Sequence, residues 1–298
     1  MHYDPVTLTV ADRDAEVAVA TYHDGEDLPP ELSPRPYLHP VRTPAGADLT
    51  EIYPEDHRHH YGVSAAVVDV NGVMYWGGKS YVHGQGYTML ENQGRQRGPA
   101  PTVTREAGRT VLQQQLSWTG PDGEEQVVED RHLRLARVEH EVPAHLLTWR
   151  SDLHAPHTDL VIGSPATRGR TGAGYGGLFW RVGPESTWTV RVSTPGGVVS
   201  GEESCLGALG RWLTLTQVRD SGPVTLLLGQ PDDPAVMLPW FVRVSGYVGA
   251  GPAVAWDAPT TLARGDSRSL HLWAALVDAE LEPAAADALY RDLENLAS

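Results

Sequence analysis

The chain has 298 residues, 41% of them hydrophobic, which is enough to build one large domain or two ordinary ones. Its formal net charge is −15, which argues against nucleic acid and anionic membranes as partners, because both require a basic face. Cys205 is the only cysteine, so an intramolecular disulfide and a cysteine-based zinc site are excluded.

Strand-like segments rich in β-branched and aromatic residues recur along the chain, with turn residues between them. The clearest hairpin signal is Asn71-Gly72, and Pro121-Asp122-Gly123 marks a second turn. The predicted strands cover residues 7–11, 16–22, 37–43, 48–53, 63–70, 73–76, 110–118, 124–135, 145–153, 158–163, 187–194, 211–218, 223–228, 240–248, 252–257 and 268–277.

One segment near the end of the chain predicts a helix. Residues 282–296 carry Ala286, Leu289, Leu293 and Leu296 at three- and four-residue steps, and Pro283 fits the first turn. Residues 163–177 are rich in Gly, Ser, Thr and Arg and predict a long loop over the mouth of the fold. Together these elements predict an all-β protein, a large antiparallel β-sandwich with one C-terminal helix and a single domain over residues 1–298.

Signals for export and for membrane insertion are lacking. The first ten residues do not combine a basic with an apolar segment, and no apolar run reaches about 18 residues. We therefore expect a soluble, cytoplasmic protein.

Segment 56–62, DHRHHYG, holds three of the thirteen histidines and leads into an apolar run. Imidazole suits both proton transfer near neutral pH and metal binding. In an extended chain His57 and His59 would point to one side and His60 to the other, whereas in a tight turn all three can converge. The spacing is not a zinc signature, so acid–base catalysis, metal binding with a carboxylate, and loop capping all stay open.

Two further segments predict parts of a ligand-binding wall. In segment 35–42, RPYLHPVR, prolines hold the backbone extended and present Tyr37 and His39; the alternative is a proline-rich edge strand. Segment 76–87 alternates glycines with Trp76, tyrosines and His83, as expected where aromatic rings stack on a sugar; the alternative is a glycine-rich loop that packs on the core.

Charged residues inside two predicted strands complete the set of candidates. Glu129 shares one strand face with Arg131 and could act as a base, or the two could form an ion pair on a solvated face. Arg181 ends the apolar segment 175–181, YGGLFWR, and needs a carboxylate or an anionic ligand group.

The segments RPYLHPVRT at 35–43, DHRHHYG at 56–62 and WGGKSYV at 76–82 resemble a bacterial family that carries the name "methane oxygenase PmoA". The name is shared with a membrane monooxygenase subunit, which this chain cannot resemble because it lacks a membrane segment. The resemblance implies a β-sandwich similar to the galactose-mutarotase-like supersandwich, and an association with sugar catabolism. It covers most of the chain through the YGGLFWR segment at 175–181.

From these residues we expect a carbohydrate-active enzyme that transfers a proton on a sugar in a mutarotase-like or a lyase- or isomerase-like reaction. His59, His60 and Glu129 are the expected catalytic groups. The expected substrate-binding residues are Tyr37, His39, His57, Trp76, His83 and Arg181. No cofactor is predicted firmly, and a divalent metal held by histidines and a carboxylate is one alternative. A non-catalytic sugar-binding module is the other.

Overall fold

The computed structural model describes residues 2–12, 15–106, 108–139, 141–183 and 187–298. In it the chain is mostly β, as predicted. The strands are, in chain order, β1 (Val6–Asp12), β2 (Ala15–His23), β3 (Tyr37–Val41), β4 (Val63–Ala66), β5 (Asp69–Val70), β6 (Ser80–Val82), β7 (Gly86–Thr88), β8 (Arg95–Arg97), β9 (Thr102–Glu106), β10 (Arg109–Thr119), β11 (Glu125–Val138), β12 (Ala144–His154), β13 (Leu160–Gly163), β14 (Gly177–Arg181), β15 (Thr189–Thr194), β16 (Gly197–Ser200), β17 (Trp212–Arg219), β18 (Gly222–Gly229), β19 (Trp240–Arg243), β20 (Gly249–Pro252), β21 (Thr260–Leu262) and β22 (Ser267–Val277).

Two antiparallel sheets dominate the fold. The first has seven strands in the order β1-β2-β3-β4-β14-β20-β19, and the second has ten, with the path β16-β15-β17-β18-β22-β12-β11-β10-β8 and β9 paired to β10. Smaller sheets join β21-β13-β5 and β6-β7. The α-helices are α1 (Glu202–Cys205) and α2 (Pro283–Ala297), and 3-10 turns cover Pro30–Leu32 and Ala166–Arg168.

The two large sheets pack face to face around one apolar core. Trp180 and Leu178 of β14 belong to this core together with Trp149 of β12 and Leu272 of β22. Side chains alternate along a strand, so every second residue of each sheet faces its partner sheet. This is the β-sandwich that the strand pattern predicted.

The predicted C-terminal helix is confirmed, and it covers the other face of the ten-stranded sheet. Leu289 and Leu293 of α2 pack against Leu146, Leu227 and Trp273, which alternate with the core-facing residues of their strands. Among the described residues, no helix is both long enough and apolar enough to cross a membrane.

The long central strands lie where the sequence predicted them, but several shorter predictions are wrong. Residues 48–53 form only isolated bridges, because Asp48 accepts hydrogen bonds from Thr50 and Tyr53 adopts a positive φ of 52°. The predicted strand 63–70 is two strands in different sheets, β4 and β5. Residues 73–76 form isolated bridges, although the Asn71-Gly72 turn between Val70 and Val73 is confirmed.

The strand predicted at 252–257 lies earlier, at β20. Its sequence, GAGP, lacks the β-branched residues that marked the other strands. Glycine is required there by close packing, because a Cβ on Gly251 would lie 2.1 Å from the carbonyl oxygen of Leu178. Contact with the neighbouring strand thus overrides local propensity.

Candidate functional site

A cavity of about 510 Å³ lies over the outer face of the seven-stranded sheet. Strand β19 supplies part of its floor through Phe241, which alternates with the core residue Trp240 and so points away from the sandwich core. The lining residues are Asp56, His57, His59, His60, Trp76, Gly78, Lys79, Tyr87, Met89, Arg170, Ala173, Tyr175, Phe241, Arg243 and Tyr247. The predicted loop 163–177 contributes three of them, which places it at the cavity mouth.

The three clustered histidines all line this cavity. Their ring centroids lie 4.8 Å apart for His57 and His60, 4.7 Å for His59 and His60, and 5.8 Å for His57 and His59. They converge because the backbone turns twice, with hydrogen bonds from His57 N to Pro54 O and from His60 N to His57 O. Of the two arrangements that the sequence left open, the tight turn is therefore the one observed.

Buried Arg35 holds this histidine turn in place. Its guanidinium donates to the carbonyl oxygens of His59 (2.9 Å) and Trp76 (3.0 Å) and to the Ser64 hydroxyl (3.1 Å). It also lies 4.4 Å from the ring centroid of Tyr61. One side chain thus ties together two of the loops that build the cavity wall.

Glycines on the neighbouring loop make room for His59. Gly77 has a φ of +96°, and a Cβ there would lie 2.4 Å from Leu32 O and 2.9 Å from His59 Cβ. Gly78 has a φ of +75°, and its Cβ would lie 3.0 Å from His59 Nδ1. Both positions combine a left-handed backbone with close approach, the two conditions that only glycine satisfies at low cost.

Gly77→Ala is expected to destabilise the protein far more than Gly84→Ala. Both residues have positive φ, but a Cβ on Gly84 meets nothing within 4 Å. Each variant should lose about 1–2 kcal/mol from the strained backbone, and Gly77→Ala a further ~1–3 kcal/mol from the clash. Urea denaturation of both variants measures the difference; equal losses would mean that contact with Leu32 and His59 does not matter.

Burial keeps two of the imidazoles uncharged. Burial, followed by the charge of Arg35, lowers the pKa of His59 to about 3. Burial also lowers the pKa of His60 well below its usual value, and the neighbouring imidazoles add to the effect. His60 is 2% exposed and its Nδ1 atom has no hydrogen-bond partner among the described residues. At neutral pH both side chains are therefore neutral donors or acceptors.

Asp56 and His57 form a carboxylate–imidazole pair at the cavity wall. The His57 Nδ1–H donates to Asp56 Oδ2 over 2.6 Å. Partial burial acts to raise the pKa of Asp56, but the hydrogen bond from His57 outweighs it and the pKa lies below its usual value. A carboxylate in this position orients the ring and fixes which of its nitrogens carries the hydrogen, the arrangement used by general bases.

The histidines are not arranged as metal ligands. Among the described residues, no group of three or more His, Cys, Asp or Glu side chains could hold a metal ion. The rings of His57 and His60 stack with an interplanar angle of 29°, whereas ligands direct nitrogen atoms towards one point. We therefore propose no metal site.

Tyr37 and His39, predicted to bind substrate, do not reach the cavity. Tyr37 is 7% exposed, stacks on His23 at 4.8 Å and packs against Tyr61. His39 Nδ1 lies 2.9 Å from the Thr50 hydroxyl. The segment forms strand β3, which pairs with β2 on one side and β4 on the other, so it is neither a ligand-binding wall nor the edge strand of the alternative interpretation.

Glu129, predicted to be a catalytic base, lies in the sandwich core instead. It is fully buried and accepts hydrogen bonds from Arg131 (2.8 and 2.9 Å), from Trp118 Nε1 (2.8 Å) and from the Ser151 hydroxyl. Glu129 and Arg131 do share a strand face, but that face points into the core. A base enclosed in this way cannot reach a ligand in the cavity.

His83 and Arg181 also lie outside the cavity lining. His83 is exposed in the turn between β6 and β7, beside Gly169. Arg181 is buried behind the cavity wall, where it donates twice to Glu51 Oε2 (2.9 and 2.6 Å) and lies 5.1 Å from the ring centroid of Tyr247. The expected carboxylate partner of Arg181 is therefore Glu51, and the contact of Arg181 with the site is indirect.

Several lining residues were missed by the sequence analysis. Tyr247 and Arg243 come from a segment interpreted only as a strand, and Lys79 and Arg170 come from segments 76–87 and 163–177, in which the charged residues were not singled out. Tyr175 precedes the two glycines that lead into β14, and this is the one local signal that could have marked it. The others reach the cavity only because distant segments meet there.

Comparison with known proteins places the chain in a family. The model of a family of unknown function (DUF6807) matches residues 9–291, which is nearly the whole chain, and the chain belongs to this family. None of the curated proteins matches it significantly.

Proposed function

We propose that this DUF6807 member is a carbohydrate-active enzyme of the cytoplasm that transfers a proton on a sugar bound in the cavity. One observation carries the proposal: His57, His59 and His60 converge on a cavity that is also lined by five aromatic side chains. Its volume of about 510 Å³ lies within the range of small-molecule sites, roughly 300–1,000 Å³. The resemblance to a family associated with sugar catabolism supports the same substrate class.

The aromatic side chains suit a sugar because they combine apolar faces with polar groups. Trp76 packs against Tyr175 at 4.9 Å and Phe179 at 4.8 Å, which holds its ring in place. The apolar face of a pyranose can stack on the partly exposed rings of Tyr175 and Tyr247, while its hydroxyls bond to the imidazoles and to the tyrosine hydroxyls. Neutral His59 can donate a hydrogen bond without carrying a charge, a role known for imidazoles of lowered pKa.

We assign the base to His57 and an acid to Tyr247. The Nε2 of His57 would accept a proton from an anomeric hydroxyl while the ring C–O bond breaks, and Asp56 would stabilise the resulting imidazolium. Burial raises the pKa of Tyr247 above its usual value and so keeps the phenol protonated; its proton would pass to the ring oxygen as negative charge develops there. His57 and Tyr247 are neighbours, with ring centroids 4.7 Å apart.

His57→Gln is expected to abolish turnover while leaving the melting temperature nearly unchanged. Removing a general base typically costs about 10²–10⁴-fold in rate. A thermal-shift screen of neutral and acidic sugars, followed by NMR of each hit, identifies the substrate and its product. His83→Gln is the matched control, because His83 lies outside the cavity.

Two results would count against the proposal. Full activity of His57→Gln would show that the histidine cluster is structural. A sugar that binds to the wild-type protein but yields no product signal would indicate a binding module.

A further inference from the structure

The residues that line the cavity are mainly basic, whereas the chain as a whole is acidic. Acidic residues outnumber basic ones by 38 to 23 over the whole sequence. Among the lining residues, however, Lys79, Arg170 and Arg243 stand against the single carboxylate of Asp56. An acidic protein has thus collected cations around one cavity, where low-dielectric walls focus their field.

Two of these charged groups are already satisfied by the protein. Asp56 accepts the hydrogen bond from His57. Arg243 Nη1 donates to Glu202 Oε1 over 2.7 Å, and the other oxygen of Glu202 accepts from the backbone N–H groups of Val244 and Ser245. Neither Asp56 nor Arg243 is therefore the main binding group for a charged ligand.

Arg170 and Lys79 are in a different position. The guanidinium of Arg170 lies 4.9 Å from the ring centroid of Tyr87 and donates to the Tyr87 hydroxyl. Within the described ranges neither Arg170 nor Lys79 forms an ion pair with a carboxylate. Guanidinium has five N–H donors, so most of those on Arg170 remain for a ligand, and the tyrosine ring restricts their orientation.

Arg168, an arginine of the same loop that lies outside the cavity, provides a comparison for Arg170. Arg168 lies two residues before Arg170 in the same loop and forms an ion pair with Asp69 through two nitrogen atoms. The two side chains are similarly exposed, but only Arg168 has an acidic partner. Arg170 instead faces the cavity.

Buried arginines behind the cavity wall add to the positive field. Arg35 is 1% exposed, its hydrogen bonds go to neutral oxygen atoms, and it forms no ion pair with a carboxylate in the part of the chain that the structure describes. Arg181 is balanced by Glu51, but its buried Nη1 has no partner within the described ranges. The cavity therefore presents neutral hydrogen-bond donors from the imidazoles. Its positive charge comes from the basic residues in its lining and from the buried arginines behind its wall.

We infer that the ligand is an acidic sugar, one bearing a carboxylate or a phosphate, and that Arg170 and Lys79 bind its anionic group. The inference rests on the proposed function, because it assumes that a sugar occupies the cavity. The sugar ring would pack against the partly exposed rings of Tyr175 and Tyr247 near the histidines, and the anion would lie at the rim. Arg170 can form paired hydrogen bonds with either kind of anion, while Lys79 acts as a point charge.

Matched pairs of ligands test this inference. Glucose, galactose and mannose are each compared with their uronate and their 6-phosphate by isothermal titration calorimetry at low ionic strength. For at least one sugar we expect the acidic form to bind about tenfold or more tightly than the neutral parent. Added salt should reduce this preference. A stronger response to the uronate or to the phosphate identifies which anion the site takes.

The variants assign the effect to named side chains. Arg170→Gln should weaken the binding of the acidic ligand by about tenfold and leave the affinity for the neutral parent unchanged. Lys79→Met should act in the same direction. Arg168→Gln is the matched control and should leave both affinities as they are, and thermal melting confirms that each variant is folded.

The possible failures are distinguishable. If neutral sugars bind as tightly as acidic ones, or if Arg168→Gln weakens the acidic ligand as much as Arg170→Gln does, the inference is overturned and the proposed function stands. If no sugar of either kind binds, the proposed function fails and the inference fails with it.

Discussion

Glu129→Ala is expected to lose about 3–5 kcal/mol of unfolding free energy, the range for breaking a buried ion pair by removing one partner. The loss comes from Arg131, which would remain charged in the core. Arg131 is fully buried and donates to Tyr22 and Gln96 as well as to Glu129, so it links both sheets. Burial acts to lower the pKa of Arg131, but Glu129 outweighs this and raises it above the usual value.

Two further variants distinguish the loss of the ion pair from a general destabilisation of strand β11. Glu125→Ala removes a half-exposed carboxylate on the same strand, 3.4 Å from His157, and should change stability by less than about 0.5 kcal/mol. The double variant Glu129→Leu with Arg131→Met should recover much of the loss, because no charge is left buried. Urea denaturation measures all of these variants.

A catalytic role for Glu129 predicts a different pattern. Glu129→Gln would then lose turnover on the substrate while its unfolding free energy stayed at the wild-type value. A loss below about 1 kcal/mol in Glu129→Ala would likewise contradict the structural role.

Acid is expected to destabilise the protein through His60 well before the carboxylates titrate. The folded protein keeps His60 neutral, because burial lowers its pKa well below the usual value of 6.5 that applies to the unfolded chain. Below pH 6.5 the unfolded state binds a proton that the folded state does not, so the stability present above this pH is lost as the pH falls. One such imidazole costs about 2 kcal/mol between pH 7 and pH 5.

His60→Phe tests this assignment while retaining a ring in the same packing. His60 contacts Trp76 at 5.4 Å, Phe179 at 5.2 Å and Tyr247 at 5.4 Å, so an apolar ring suits the position. Between pH 7 and pH 5, the unfolding free energy of the variant should fall by about 2 kcal/mol less than that of the wild type. Urea denaturation at the two pH values measures both changes.

Exposed His83 provides the control for the acid experiment. His83→Gln is expected to leave the difference in unfolding free energy between the two pH values as it is in wild type. An equal loss in wild type and His60→Phe would show that other groups carry the acid sensitivity. His59 is the next candidate, since burial lowers its pKa to about 3.

The long strands and the helix were predictable because their signals are local. Strands β10, β11, β12 and β22 alternate or cluster apolar residues over ten or more positions, and α2 repeats Leu at helical spacing. Short strands such as β20 carry no such signal. Strand β20 forms because β14 and β19 supply its pairing partners and because glycine at positions 249 and 251 lets β14 approach closely.

The residues of the candidate site also differ in whether a local signal in the sequence marks them. His57, His59, His60 and Trp76 were predicted because three histidines within four residues and a glycine-flanked tryptophan are visible in the sequence. Glu129 looked equally promising there, because an alternating pattern does not show which strand face is buried between the sheets. Alternation along a strand assigns its residues to two faces. Only the packing of the second sheet shows which of the two faces is buried.

The sequence by itself determined the class of the fold, the C-terminal helix and the place of the histidine cluster, since each of these signals depends on residues within a few positions of one another. Only the tertiary structure decided that the three imidazoles converge, that Arg35 and Arg181 lie behind them, and that Lys79, Arg170, Arg243 and Tyr247 join them around one cavity. These residues come from segments as far apart as Arg35 and Tyr247, which are 212 positions from each other, and their meeting depends on how strands pair and loops pack. The same packing removes His59 and His60 from water and leaves them neutral, a property that no local pattern encodes.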